Sequence, residues 1–264
     1  NRLDNLRFSG EGYEPVVNDR NAASAKKFAE DVNASLTQTE VLGALNRLIE
    51  KDAAVIGSSG SLPGCMQRMW RPETPDTYNM EYGYSCMGYE ISGALGVKLA
   101  IGDKQVYSMV GDGSFVMLHS ELLTAVQERR KINVCLFDNA GFGCINNLQM
   151  GTGNDTMCTE LRHRGEGGRL HHEGKFMRID YAAIAKAYGC MSYTARTVAE
   201  LEAALEDSKR QSVSTLIDIK VLPKSMTEGY GGWWRVGVAE VSERESVQTA
   251  RAGLEEHLKE ARKY

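Results

Sequence analysis

Val106-Tyr107-Ser108-Met109-Val110-Gly111-Asp112-Gly113-Ser114-Phe115 decides the fold of this chain when read with Ile132-Asn133-Val134-Cys135-Leu136-Phe137-Asp138-Asn139-Ala140-Gly141. The first stretch opens with an apolar run of the length of a buried strand. A glycine-rich turn follows, and the pattern predicts one helix over 115–127. A second apolar strand, 132–137, ends in Asp-Asn-Ala-Gly. Strand, turn, helix, strand is a βαβ unit, so both turns fall at the same carboxyl edge of a parallel sheet. One turn offers the Asp112 carboxylate. The other, 27 residues on, offers the Asn139 amide oxygen and the Gly141 carbonyl. Hard oxygen ligands of this kind suit Mg2+, which keeps waters and takes further ligands from a phosphate. The N–H groups of Gly113 and Ser114, just after Gly111, open the helix and can face an anion.

The rest of the chain extends this unit. Thr37-Gln38-Thr39-Glu40 starts a helix with Val41, Leu42, Leu45, Leu48 and Ile49 on one face. A strand is expected over 53–56, followed by a loop over 58–64 at its carboxyl end. Residues 65–82 read as irregular and aromatic. A small-residue helix is expected over 87–100, a helix over 181–188 and a strand over 191–194. An amphipathic helix over 198–209, a β-branched strand over 214–221 and a polar helix over 243–262 complete the pattern. Strands alternating with helices imply an α/β fold, a doubly wound parallel sheet with helices on both faces. Residues 1–35 are turn-rich and read as a linker or the end of a preceding domain. Residues 36–228 form the main domain, and 229–264 a Gly/Trp loop with a C-terminal helix. The chain begins without Met, which fits a processed or truncated protein.

Composition narrows the function. A net charge of −4 argues against a general nucleic-acid binder. The apolar runs fall far short of a membrane span, and no signal peptide is visible, so a cytoplasmic protein is expected. The six cysteines include no C-x-x-C pair and no zinc spacing; free thiols are expected.

Gly-Asp-Gly followed roughly 25 to 30 residues later by Asn, with Gly two residues beyond, resembles the thiamine diphosphate (ThDP) enzymes. The resemblance implies that Asp112, Asn139 and the Gly141 carbonyl hold Mg2+, which clamps the diphosphate. These enzymes commonly carry Asn-Asn where this chain has Asp138-Asn139, so position 138 is left to local hydrogen bonding. In Tyr84-Ser85-Cys86-Met87-Gly88-Tyr89, Met87 stands where the family has the apolar wedge that bends the cofactor. Ser85 stands where a carbonyl accepts from the cofactor's amino group. Ser59, Gly60, Ser61 and Leu62, in the loop after the first strand, are further candidates for cofactor contact. The glutamate that activates the pyrimidine lies in a separate pyrimidine-binding domain in this family. Here it is expected outside the chain, in a missing N-terminal part or another polypeptide.

Three longer stretches are more specific: 78–90, 142–150 and 229–241. They resemble the trihydroxycyclohexane-1,2-dione hydrolase family of inositol catabolism. That implies hydrolysis of a carbon–carbon bond in a cyclic 1,2-dione, opening the ring to 5-deoxy-glucuronate, in a homodimer or homotetramer. A polyol substrate wants hydrogen-bonding side chains, and Asn146, Asn147 and Gln149, just after the metal loop, are the candidates. An acetolactate-synthase-like carboligase or a 2-oxoacid decarboxylase would share the metal and diphosphate residues. A cofactor-binding module, inactive without its pyrimidine-binding domain, is the third reading. His119 is expected on a helix face, His171 and His172 in a solvated loop, and Trp233-Trp234 over the active site or docking the tail.

Overall fold

The structure, a computed structural model, describes residues 26, 29–30, 34–81, 83–168, 174–227 and 235–261. Six strands form one all-parallel sheet: β1 (Ala54–Gly57), β2 (Tyr78–Met80), β3 (Val106–Gly111), β4 (Asn133–Asp138), β5 (Met191–Ala195) and β6 (Thr215–Lys220). The strand order is β2-β1-β3-β4-β6-β5. The chain leaves β1 toward β2, then returns to the other side of β1 to lay down β3. The connections therefore diverge between β1 and β3, and a crevice opens there beyond the carboxyl ends of the strands.

The helices are α1 (Gln38–Leu48), α2 (Ser61–Met69), α3 (Tyr89–Ile101), α4 (Asp112–Met117), α5 (Glu121–Gln127), α6 (Gly143–Gly151), α7 (Tyr181–Ala187), α8 (Val198–Arg210) and α9 (Glu245–Glu260). Strand residues alternate between the two faces. On one face Val55, Tyr107, Met109, Cys135, Phe137 and Ile217 pack against α1, α2 and α8. On the other, Ala54, Ile56, Val106, Val110, Val134 and Leu136 pack against α3, α5 and α7. Both faces are covered, which is why β3 and β4 read as continuous apolar runs. The doubly wound α/β expectation holds.

Three expectations on local structure are corrected. Residues 115–127 are not one helix: the chain breaks at Leu118 (φ −153°, ψ 77°) between α4 and α5. The break seats Leu118 against Gly88, where an added Cβ would stand 2.6 Å from the Leu118 Cβ. Gly88 also has φ +95°, so α3 starts at Tyr89 rather than Met87. The expected loop over 58–64 ends early, because α2 begins at Ser61. Pro63 lies in its first turn, where the missing N–H has no helical partner to lose. The stretch 65–82 is not wholly irregular; it holds the rest of α2 and the short edge strand β2, registered on β1 through Tyr78, Asn79 and Met80.

His119 stacks on Phe115 and meets the Tyr188 hydroxyl at 3.0 Å, a helix-face position as expected. All six cysteines are free thiols. No helix among the described residues is long and apolar enough to cross a membrane. His171, His172, Trp233, Trp234 and most of 1–35 lie outside the described residues.

Candidate functional site

At the β1/β3 crevice lies a cleft of about 340 Å³. Ser59, Gly60, Ser61 and Leu62 line it after β1; Gly111, Gly113 and Ser114 after β3; Asn139 and Gly141 after β4. Ser85 and Met87 close it from the segment before α3. Residues expected at the site from four separate stretches of sequence thus share one wall.

The metal loop is built by its neighbours. Asp112 is fully buried, and its Oδ2 accepts from the Gly141 N–H at 2.7 Å. The Asn139 side-chain oxygen lies 2.9 Å from the Gly141 carbonyl oxygen and 3.2 Å from Asp112 Oδ1. Three acceptor oxygens at such separations repel one another; turning the Asn139 amide over would instead give them a donor. A cation between them removes the conflict without that turn. Octahedral Mg2+ with bonds near 2.1 Å sets adjacent oxygens roughly 3 Å apart, so the oxygen set fits Mg2+. Among the described residues no group of three His, Cys, Asp or Glu side chains could hold a metal. The site therefore depends on amide and carbonyl oxygens as well as one carboxylate.

Burial and the neighbouring Asp138 carboxylate push the Asp112 carboxyl well above the ordinary range. Asp138, at the position where the family commonly has Asn, is likewise buried. Its Oδ1 accepts from the Ala140 N–H at 3.0 Å, steadying Ala140 at φ +59°. Its Oδ2 pairs with Lys220 at 2.5 Å, and Lys220 also meets Asp218 at 2.8 Å. The expected local hydrogen bond at 138 is present, and a lysine from β6 balances the extra charge. Burial and Asp138 push Asp218 up to about 7, against the pull of Lys220.

Gly141 must be glycine for a steric reason, because a Cβ there would sit 2.5 Å from the Thr159 carbonyl oxygen. That close approach belongs to a brace behind the metal loop. Phe142 N–H donates to Thr159 O, and Leu161 N–H to Ala140 O. Asn146 and Gln149 hold the brace. Asn146 Nδ2 donates to the Thr156 and Thr159 hydroxyls, and Gln149 Oε1 accepts from the Met157 N–H and the Thr159 hydroxyl. Asn147 Nδ2 donates to Met226 Sδ. None of the three lines the cleft; α6 presents Cys144, Ile145 and Leu148 there instead. The correction is one of helical phase: 144, 145 and 148 share a face, and 146 and 149 share another.

Helices α2, α4 and α6 all open onto the cleft, and none has a side-chain cap at its N-terminus. Their first N–H groups remain available to an anion, and the helix dipoles favour one. Ser85 has φ +53°, a costly conformation for a residue with a side chain. Glu81 secures it from both sides, accepting from the Tyr84 and Cys86 N–H groups, each at 2.8 Å. Glu81, Glu90, Gln38 and Lys220 were not legible as site residues, since each acts through a long-range hydrogen bond with no motif spacing.

A match to the family "Thiamine pyrophosphate enzyme, C-terminal TPP binding domain" spans residues 58–219. The chain belongs to this family. The match starts at the loop after β1 and runs into β6, so it takes in the metal loop and the diphosphate-facing turns. ThDP is the cofactor of this domain. Among similar proteins is the 3D-(3,5/4)-trihydroxycyclohexane-1,2-dione hydrolase of Geobacillus thermodenitrificans, 59% identical over 97% of this chain and 40% of its own length. One of the two enzymes so named from Bacillus cereus is 54% identical over 100% of this chain and 41% of its own length. The chain thus spans about two fifths of the length of these relatives. A solved structure, the ThDP-dependent 4-hydroxybenzoylformate decarboxylase of Rhodococcus jostii, superposes with a TM-score of 0.55 at 19% identity, over 75% of this chain and 32% of its own. At that identity the superposition speaks to the fold.

Proposed function

We propose that the polypeptide carrying this domain hydrolyses the ring of 3D-(3,5/4)-trihydroxycyclohexane-1,2-dione, a step of inositol breakdown in the cytoplasm. The observation that carries the reading is the identity of more than half the residues, across essentially the whole chain, to relatives named for that hydrolysis. Bound ThDP supplies a carbon nucleophile and an electron sink for breaking a bond beside a carbonyl. The residues of this chain bind and shape it. Asp112, Asn139 and the Gly141 carbonyl hold Mg2+. The N–H groups of Gly113, Ser114 and the first turns of α2 and α6 face the diphosphate. Met87 wedges the cofactor into its bent form, and Ser85, fixed by Glu81, presents its carbonyl to the amino group. Asn146 and Gln149 enter as braces of the metal loop rather than as substrate ligands.

The activating glutamate lies outside this chain in this reading, in a pyrimidine-binding domain within the remaining length of the polypeptide or on another chain. Residues 36–228 form the diphosphate-binding module, 229–264 its appendage, and the assembly is a homodimer or homotetramer. The test compares substrates in the full-length polypeptide. Trihydroxycyclohexanedione should yield a ring-opened acid bearing an aldehyde, while pyruvate should give neither acetolactate nor CO2. Rapid pyruvate turnover with an inert dione would move the assignment to a carboligase or decarboxylase.

A further inference from the structure

Glu90, in the first turn of α3, is wholly buried and takes no part in the metal loop or its brace. Its Oε2 accepts from the Gly88 N–H at 2.9 Å and its Oε1 from the Ser59 N–H at 3.3 Å. The Ser59 hydroxyl lies 3.1 Å from Oε1 and 2.9 Å from the Ser114 hydroxyl. Ser59 and Ser114 both line the cleft. A buried carboxyl group is therefore joined to the cleft by two hydroxyls in series.

Each hydroxyl has one proton to give. An ionised Glu90 only accepts, so Ser59 turns its proton to Glu90, and Ser114 turns its own to Ser59. Ser114 then shows the cleft lone pairs alone, the wrong polarity for a diphosphate. A protonated Glu90 reverses the order: Glu90 donates to Ser59, Ser59 to Ser114, and Ser114 into the cleft. The Gly88 and Ser59 N–H groups keep an acceptor in either state.

The surroundings favour the neutral form. Burial pushes the Glu90 carboxyl above its usual range, against the hydrogen bonds from Ser59 and Gly88. The α3 helix packs on β1, β3 and α5. β1 has no titratable side chain. Tyr107 of β3 belongs to the opposite face and bonds Glu50. α5 brings Glu121, and the neighbouring α4 brings Asp112, which faces Gly141. On the segment before α3, Glu81 binds the Tyr84 and Cys86 N–H groups. No cation is among the leading influences on Glu90. An arriving anion adds to the same side.

We propose that Glu90 takes up a proton as the diphosphate enters the cleft, and that the Glu90–Ser59–Ser114 chain turns over to donate to it. The inference rests on the ThDP reading of the cleft. Calorimetry of ThDP and Mg2+ binding to the full-length polypeptide, in buffers of different ionisation heat, counts the protons. Wild type should take up as much as one proton more than Glu90→Gln, whose amide can donate to Ser59 at any pH. Above the free-state pKa, wild-type affinity should fall with pH by up to about tenfold per unit relative to Glu90→Gln. Equal proton counts and parallel pH profiles would overturn the proposal. Should Glu90→Gln not fold, Ser59→Ala severs the same chain and should lose the same extra proton; an unchanged count there would overturn the proposal as well. Failure of wild type to bind ThDP at all would overturn the cofactor reading with it, and shows before any proton is counted.

Discussion

Asp112→Asn should cost the full-length polypeptide at least about a hundredfold in Mg2+-dependent ThDP affinity, about 2.7 kcal/mol, while leaving the ligand-free fold no less stable. The two effects share one cause. Asp112 is a fully buried carboxylate beside Asp138, held well above the ordinary range by burial and that neighbour. A carboxyl whose folded pKa is raised stabilises the fold while protonated, and that contribution is lost as pH rises through the folded pKa. At neutral pH the ionised form therefore costs stability until Mg2+ arrives. Asn keeps an oxygen for the Gly141 N–H but brings no charge to the metal. Calorimetry and thermal melts with and without ThDP and Mg2+ check both halves. Unchanged affinity would remove Asp112 from the metal site. A large loss of ligand-free stability would show that the carboxylate is structural instead.

Lys220→Met should be the most destabilising single change in the site. Lys220 is the cation that meets both Asp138 and Asp218, and all three are buried. Removing one partner of a buried ion pair costs about 3–5 kcal/mol, which for a chain of this size lowers Tm by roughly 10 °C or more. Adding Asp138→Asn should recover part of that loss. The amide oxygen introduced at position 138 still accepts from the Ala140 N–H, and the charge left without a partner is gone. Contacting residues of this kind couple by about 0.5–3 kcal/mol. Denaturant melts of the two single variants and the double variant measure the coupling. Strict additivity would mean that Lys220 does not balance the charge at position 138.

Asp112, Asn139 and Gly141 were legible because one βαβ unit fixes their spacing and a parallel sheet brings both turns to one edge. The same logic placed Ser59 to Leu62 and Ser85 to Met87 on the cleft. What local pattern could not show is what depends on contact. The break at Leu118 exists to meet Gly88, and nothing in the periodicity of 115–127 marks it. Pro63 reads as a loop signal, yet a first helical turn tolerates it. β2 has three half-buried residues and too little alternation to announce a strand. Asn146 and Gln149 were placed by nearness in sequence to the metal loop. Helical phase turns them away from the cleft, a distinction their spacing from Cys144 and Leu148 already carried. Lys220 and Glu90 answer charges and donors on distant segments, so no motif records them.

ThDP is placed at the β1/β3 crevice through a metal held by one carboxylate, one amide and one backbone carbonyl. The most direct measurement is a crystal structure of the full-length polypeptide with ThDP and Mn2+ in place of Mg2+, read by anomalous scattering. A single peak bonded to Asp112 Oδ1, Asn139 Oδ1, the Gly141 carbonyl oxygen and the diphosphate is the expected result. A diphosphate bound elsewhere, or a metal peak that leaves Asp112 and Asn139 uncoordinated, would contradict it.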